Sequence, residues 1–252
     1  MKQHWFIGWD EREGDAYRVC EHSLVRHATC DIAVHPIKHR EMRRLGLFWR
    51  EWRMDGDGQW WDQADGKPFS TEFAFTRFLT PLLAKREGIE GWCFFVDADF
   101  LFLDDVAKLE RELDNGCALA CVKHDFAPKN AYKMDHQIQR PYSRKNWSSL
   151  MAFDTRHTAN DRLTPECVSI ADGSWLHHMD WLTDAQIAPL NPCWNWLVGH
   201  SPDEIDPKAL HYTDGGPWFD HWRGGPFDDM WLAELARTRH PTPTTVFKRQ
   251  VA

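Results

Sequence analysis

The chain has 252 residues, of which 42% are hydrophobic and 27% charged, a composition typical of globular proteins that bury a large core. It carries 30 basic and 38 acidic residues, and the net charge of −8 argues against a broad nucleic-acid interface held through phosphates. No apolar run approaches the length of a membrane-spanning helix, and the early charges are unlike a secretory signal. Seven cysteines without a CxxC pair indicate a reducing compartment, so we expect a cytoplasmic protein.

The N-terminal third predicts the beginning of a parallel α/β sheet. Its first elements are a strand at 4–8, a helix at 15–28 and a strand at 31–37. Residues 49–68 are rich in Gly, Asp and Trp and show no hydrophobic period, which predicts a long loop. An amphipathic helix is predicted to follow over residues 70–87.

The middle of the chain predicts a buried strand at 91–100, a helix at 104–115 and a strand at 117–125, before a polar, irregular segment at 126–147. The remaining predicted elements are a strand at 147–155, a helix at 175–187, an extended segment at 188–199, a short strand and turn within 208–222, and a helix at 226–239. Without repeats or a linker, residues 1–252 are predicted to form one domain with a loose tail at 240–252.

Two carboxylates, Asp97 and Asp99, stand at the end of the buried strand that the run "WCFFV" predicts. Alternate strand residues point the same way, so both side chains can be directed at one point at the carboxyl edge of the sheet. Hard divalent cations prefer such oxygen ligands. The simpler interpretation is a surface turn that caps the next helix, which suits Asp104.

A phosphatase of the haloacid-dehalogenase type is a further interpretation of Asp-x-Asp, with one Asp as the nucleophile. Such enzymes place Thr or Val two residues after the second Asp and carry the motif near the N-terminus. Here Leu101 stands at that position and the motif is in mid-chain, so this interpretation is disfavoured.

Fifteen tryptophans are an unusual number for this length. Some are expected simply to fill the core. Several stand beside loop-like polar residues, at 49–52, 60–61, 194–196 and 218–222, and there they could serve as stacking platforms for sugars or bases.

The ordered set of motifs resembles the metal-dependent nucleotide-sugar glycosyltransferases of the GT-A fold. The closest likeness is to the glycogenin and lipopolysaccharide-galactosyltransferase family, and within it to small bacterial and phage members. The likeness spans about residues 5–220. It rests on the segments "IGWD" (7–10), "STEFAFTRFLTPLL" (70–83), "FVDADFLFLDDV" (95–106), "NWSSLMAFD" (146–154), "PLNPCWNWLVG" (189–199) and "LHYTDGGPW" (210–218).

The resemblance implies a single-domain α/β fold, Rossmann-like, with a mostly parallel central sheet flanked by helices. It also implies a Mn²⁺ or Mg²⁺ ion held by Asp97, Asp99 and His211. The implied nucleotide-sugar-binding residues are Gly8, Trp9, Asp10, Tyr17, Arg77, Asp97, Ala98, Ser148, Gly215, Gly216 and Trp218.

Two departures from the family pattern concern the diphosphate and acceptor sides. The family has a Lys just before Pro-Trp, where this chain has Gly216. Either the backbone N–H groups of Gly215 and Gly216 or another base would then bind the diphosphate. The candidate bases are Lys145, Arg144, Lys123 and Arg223.

The acceptor side of the family carries an Asp-Gln-Asp motif. Its counterpart here is His178-Met179-Asp180. Asp180 is therefore a candidate for positioning the acceptor or the reacting sugar, or is simply a carboxylate on a helix surface. Asn146 is a further catalytic candidate that would hydrogen-bond the donor sugar together with Ser148.

The expected activity is transfer of a hexose, with UDP as the expected carrier, to an unidentified hydroxyl acceptor with retention of configuration. A carbohydrate acceptor is favoured, and modified DNA is disfavoured by the net charge. A nucleotide-sugar- or carbohydrate-binding protein with a degenerate site is the alternative from another functional class.

Overall fold

The computed structural model describes residues 2–114, 116–125 and 144–239. Most of the predicted irregular segment at 126–147, and the whole predicted tail at 240–252, lie outside these described residues. Within them the strands are β1 (Gln3–Gly8), β2 (Ile32–Ile37), β3 (Trp52–Met54), β4 (Trp60–Asp62), β5 (Pro68–Phe69), β6 (Trp92–Val96), β7 (Phe100–Phe102), β8 (Leu119–Cys121), β9 (Leu150–Asp154), β10 (Ile187–Pro189), β11 (Trp196–Leu197) and β12 (Ala209–His211).

The α-helices in the same part of the chain are α1 (Gly14–His27), α2 (His39–Arg44), α3 (Thr80–Arg86), α4 (Pro165–Ile170), α5 (Gly173–His177) and α6 (Asp228–Arg239). Short 3₁₀ turns occur at Glu11–Glu13, Thr76–Leu79, Val106–Glu112, Trp147–Ser149, Thr158–Arg162, Asp184–Gln186, Pro192–Asn195 and Asp220–Trp222. No helix in the described ranges is both long and apolar enough to cross a bilayer.

The central sheet has six strands in the order β10–β8–β9–β6–β1–β2. β1 pairs in parallel with β2 and β6, and β8 pairs in parallel with β10. β9 runs antiparallel to both of its neighbours, β6 and β8. The predicted α/β architecture with a mostly parallel central sheet is therefore confirmed.

Continuous apolar sequence explains why β6 and β9 lie in the middle of this sheet. Strands covered on both faces need apolar side chains at successive positions rather than at alternate ones. The side chains of β6 from Cys93 to Val96 are at most 1% exposed, and those of β9 from Leu150 to Phe153 are fully buried. The chain leaves β6 directly into Asp97, at the edge of the sheet where α/β proteins bind ligands.

A second sheet, in the order β11–β12–β7, continues from this edge. β7 begins one residue after Asp99, and β12 pairs with it antiparallel so that His211 lies opposite Phe100. Helix α1 packs against β7 and α6. The Glu234 carboxylate of α6 accepts from His22 and Arg26 of α1, at 2.6 and 2.9 Å, and so fixes the two helices together.

The prediction of a long loop at 49–68 is wrong, because this segment forms the three-stranded antiparallel sheet β3–β4–β5. The turn between β3 and β4 is closed by Asp55, whose Oδ1 accepts from the N–H groups of Asp57 and Gln59 at 3.0 Å. Trp52, Trp60 and Phe69 pack their rings together across the sheet. Strands of two or three residues are too short to show a period in the sequence.

Three predicted helices are shorter than expected, and the one predicted at 104–115 is a 3₁₀ segment at Val106–Glu112. The segment predicted as a helix at 70–87 begins with turns and a 3₁₀ segment, and its α-helix α3 starts at Thr80 with Pro81 in the first turn. The segment predicted at 175–187 contains only the end of α5, since Met179 adopts a left-handed backbone conformation with φ of 59°. Apolar spacing does not reveal such interruptions.

His35 lies on β2 among other titratable side chains. Its ring nitrogens are 3.1 Å from His4 Nδ1 and 3.1 Å from Glu87 Oε2, and its ring stacks on Phe6. Burial, together with the charge of Lys2, lowers the pKa of His35 from 6.5 to about 4. The folded protein therefore disfavours the protonated ring.

We expect the free energy of unfolding to rise as pH increases from about 4 to about 6.5, because in this window the unfolded chain binds a proton at His35 and the folded chain does not. Replacing His35 with Gln should flatten this part of the profile in urea denaturation across the window. H221Q, at an exposed histidine, is the control. Equal flattening of the pH profile in H221Q would contradict the assignment of this pH dependence to His35.

Candidate functional site

Three potential metal ligands meet at the carboxyl edge of β6. Asp97, Asp99 and His211 each offer one ligand atom, and these atoms lie within 4.8 Å of one another. The register of β7 and β12 brings this about, and the Tyr212 N–H donates to the Asp99 carbonyl oxygen at 3.0 Å. His211 Nε2 is 3.4 Å from Asp99 Oδ2. The structure thus brings together the three residues predicted to hold a metal ion.

The donor atoms of this cluster suit a divalent cation. Asp99 is 7% exposed, and its Oδ1 is buried without a hydrogen-bond partner among the described residues. A buried carboxylate oxygen left in this state is costly, and a bound cation would satisfy it. Two carboxylates with one imidazole fit Mn²⁺ at least as well as Mg²⁺, which prefers an all-oxygen site.

Arg77 holds the first carboxylate of the cluster. Its Nη1 lies 2.7 Å from Asp97 Oδ1 and also donates to the Ser148 carbonyl oxygen at 2.9 Å, while Nε donates to the Ala74 carbonyl oxygen. Arg77 is only 5% exposed. A guanidinium so fixed offsets part of the negative charge and limits the orientations open to Asp97.

A cavity of about 440 Å³ lies beside the cluster. Predicted site residues that line it are Arg77, Asp97, Asp99, Asn146, Ser148 and His211. The cavity is also lined by residues that were not predicted to belong to the site, among them Lys67, Ser149, Ser174, His177 and Thr213. Lys67 lies between β4 and β5, and Ser174 and His177 lie on α5; no motif connected these segments with the strand end at Asp97. Ser149 and Thr213 stand within segments of the family likeness but were not singled out there.

Lys145 is the one of the four candidate diphosphate bases that lines the cavity, and it is 7% exposed. Arg144 bonds Asp184 and the His178 carbonyl oxygen, and Arg223 pairs with Asp220. Lys123 lies over the Trp147 ring at 5.7 Å. Among these four candidate bases, Lys145 is therefore the one best placed to meet an anion in the cavity.

The predicted nucleotide residues at the end of β1 do not line this cavity. Asp10 is fully buried, and its carboxylate accepts from the Arg12 side chain at 2.8 Å and from the Glu72 N–H at 3.0 Å. Tyr17 is 6% exposed and packs edge-on against Trp9. Both side chains are thus engaged within the fold.

The glycine loop after β12 is shaped by tryptophan rings. A Cβ on Gly215 would lie 2.7 Å from Trp222 Nε1, and one on Gly216 would lie 2.1 Å from the Trp218 ring. The Gly215 N–H already donates to the Tyr212 carbonyl oxygen at 2.9 Å. Ala98, between the two ligating carboxylates, is fully buried. In this conformation the Gly215 amide is occupied, and the loop glycines have a packing role.

The acceptor-side candidate Asp180 has a carboxylate 48% exposed, 4.0 Å from His178 Nδ1, and does not line the cavity. Met179, its neighbour, is fully buried. The cavity wall instead contains His177, whose Nδ1 lies 3.0 Å from Ser148 Oγ. Its ring packs edge-on against Phe78.

A second histidine, His124, interacts with His211 and Asn195. Burial, with a contribution from His211, lowers the pKa of His124 to about 4, while a hydrogen bond with Asn195 acts in the opposite direction. His124 is therefore neutral at neutral pH and adds no positive charge beside the candidate ligands.

No family model matches the chain. A curated relative does: Protein CDI of Arabidopsis thaliana is 41% identical over 235 residues, which cover 91% of this chain and 85% of that protein. Identity of this extent over nearly the whole chain places both proteins in one family.

Two solved glycosyltransferases share the fold. The apo form of the bifunctional glycosyltransferase WbbM has a TM-score of 0.53 at 14% identity, with 92% of this chain covered, and the chain spans only 51% of its length. The galactosyltransferase LgtC, solved with donor and acceptor sugar analogues, has a TM-score of 0.52 at 9% identity, with 93% of this chain and 95% of LgtC covered. At these identities the likeness establishes the GT-A fold.

Gly8 gives a test of the packing at the end of β1. An added Cβ would lie 2.4 Å from Phe73 Cγ, so G8A should destabilise the protein by about 1–3 kcal/mol through overpacking. Urea denaturation measures this loss. Gly56 has nothing within 4 Å of its Cβ position, so G56A is the control. Equal stability of G8A and wild type would contradict the close contact.

Proposed function

We propose that this chain, which belongs to the family of the Arabidopsis Protein CDI and has the GT-A fold, transfers a sugar from a nucleotide-sugar donor to a hydroxyl acceptor. The observation that carries the proposal is the cluster of Asp97, Asp99 and His211 at the carboxyl edge of the sheet, beside a cavity of about 440 Å³. The proposed donor is a UDP-hexose, the proposed metal is Mn²⁺ or Mg²⁺, and the proposed acceptor class is carbohydrate.

The reaction breaks the bond between the anomeric carbon and the diphosphate and forms a bond to the acceptor oxygen, while the acceptor hydroxyl loses its proton. A divalent cation held by Asp97, Asp99 and His211 would stabilise the charge that develops on the departing diphosphate. Lys145, buried on the cavity wall, is the proposed cationic side chain for the same charge. It would act in place of the lysine that the family carries where Gly216 stands.

Arg77 and Ser148 are proposed to keep the reacting groups in place. Arg77 holds Asp97 and donates to the Ser148 carbonyl oxygen, so one guanidinium links the two walls of the cavity. Ser148 and Asn146 line the cavity, and both are proposed to hydrogen-bond the donor sugar. Retention of configuration and a role for Asp180 remain proposals from the family resemblance.

Isosteric substitution of the carboxylates tests the proposed transferase. In D97N and D99N the ligand charge is lost with little change in volume, so Mn²⁺-dependent release of UDP from UDP-hexoses should fall about 100-fold or more. D104N is the matched control, because Asp104 stands on the same segment and pairs with Lys108 outside the cluster. Turnover in D97N equal to that of wild type would exclude the proposal.

The second candidate is a protein that binds nucleotide sugars without turning them over. It is favoured by the Asp10 carboxylate and the Gly215 N–H, which are both bonded within the fold. It is favoured also by Gly216, which stands where the family has its lysine.

A panel of nucleotide sugars with and without Mn²⁺ separates the two candidates. At concentrations about 100-fold above Kd, a ligand of the folded state should raise Tm by roughly 5–10 °C. For the transferase we expect a Mn²⁺-dependent shift accompanied by release of the nucleoside diphosphate. A shift without release, across all acceptors supplied, would favour the binding protein, and no shift with any nucleotide sugar would contradict both.

A further inference from the structure

We infer that Asn195 is a positioning residue of the metal site: its side-chain carbonyl fixes the tautomer and the orientation of His211 so that Nε2 presents its lone pair to the cation. The inference rests on the proposed metal site. Asn195 lies in a 3₁₀ turn before β11, is fully buried, and is not one of the three potential ligands.

The hydrogen bonds of Asn195 determine which way its amide points. Nδ2 donates to the Asn146 backbone carbonyl at 3.2 Å, and a carbonyl oxygen can only accept. Nδ2 also lies 2.8 Å from Ser149 Oγ, whose own proton is donated to the Asn146 carbonyl at 2.7 Å. Ser149 Oγ must therefore accept from Asn195. Both contacts require the NH₂ group on this side, and Oδ1 is left to face His211.

The orientation of Asn195 in turn determines the protonation of His211. Asn195 Oδ1 is 2.8 Å from His211 Nδ1, and an amide oxygen can only accept, so Nδ1 carries the proton. In the neutral ring the lone pair is then on Nε2, which faces the cluster at 3.4 Å from Asp99 Oδ2. A metal ligand needs this tautomer, and a partner on the other ring nitrogen commonly fixes it.

Two further contacts restrain the same ring and the same turn. The His211 ring stacks on Phe100 with 4.5 Å between centroids and 17° between planes, and His211 is 2% exposed. Asn146, which accepts from Asn195, has a left-handed backbone with φ of 65°, and its Oδ1 accepts from Thr213 at 3.2 Å. Asn195 therefore links the ligand His211 to Asn146 on the cavity wall.

The chain offers a matched control for substitution of Asn195. Asn160 is 3% exposed, its Nδ2 donates to the Ala118 and Asp154 carbonyl oxygens, and its Oδ1 lies 3.4 Å from Trp181 Nε1. It is thus a buried amide with the same kinds of partners but no contact with the cluster. N160L should reduce stability as N195L does, and it should leave the metal site intact.

The test measures Mn²⁺ binding without any sugar nucleotide, from the electron paramagnetic resonance signal of free Mn²⁺, in the full chain at neutral pH. N195L should bind Mn²⁺ about 10–100-fold more weakly than wild type. N195D keeps an oxygen acceptor for His211 Nδ1, so its Mn²⁺ affinity should fall by less than about tenfold. N160L should bind Mn²⁺ as wild type does.

Equal binding by N195L and wild type would overturn the inference while leaving the proposed transferase standing. Weakening in N160L as large as in N195L, or in N195D as large as in N195L, would overturn it as well. Absence of Mn²⁺ binding by wild type would overturn both this inference and the metal-dependent function.

The nitrogen-15 spectrum of the wild-type protein reports the His211 tautomer directly, so this measurement does not depend on whether the Asn195 variants fold. In the metal-free protein, the His211 resonances, assigned by their loss in H211N, should show a protonated Nδ1 and an unprotonated Nε2. Protonation at Nε2 alone in the neutral ring would overturn the inference.

Discussion

The antiparallel pairing of β7 with β12 is the constraint on which the candidate site depends. It places His211 opposite Phe100, so that an imidazole from the C-terminal part of the chain meets the carboxylates that follow β6. The backbone bond from the Tyr212 N–H to the Asp99 carbonyl continues the pairing into the motif itself. Because the ladder fixes the positions of both main chains, it holds one ligand atom from each of the three residues within 4.8 Å of the others.

Burial makes uncompensated charge in this cluster energetically costly. Asp99 and His211 are 7% and 2% exposed, and the described residues supply Arg77 as the cation on Asp97. Desolvated carboxylates require pairing or a metal, so a bound cation would offset the cost of burying this cluster. The Asn195 amide, the Ser149 hydroxyl and the Asn146 backbone carbonyl are hydrogen-bonded to one another, which orients this side of the cluster without adding charge.

Sequence reasoning succeeded where a long apolar run or a short motif set the structure. The strands ending at Gly8 and Val96 and the helices α1 and α6 were predicted within a few residues. Asp97, Asp99 and His211, which the family resemblance implied as ligands, lie together in the structure, and their role as ligands stays a prediction. It failed in two kinds of places. The sheet β3–β5 is built from strands too short to show alternation, and the turn at Met179 depends on a backbone conformation that residue spacing does not encode.

The sequence by itself determined the apolar strands and the position of Asp97 and Asp99 at a strand end, because these follow from local periodicity. The alternation of strand and helix at the N-terminus indicated parallel pairing there, whereas the antiparallel β9 was not predicted. Only the tertiary structure decided which distant groups surround those carboxylates. Lys145 lines the cavity although three other bases were equal candidates, Asp10 is engaged by Arg12, and Asn195 faces His211. Such choices depend on hydrogen bonds and packing between segments far apart in the chain, and no local pattern records them.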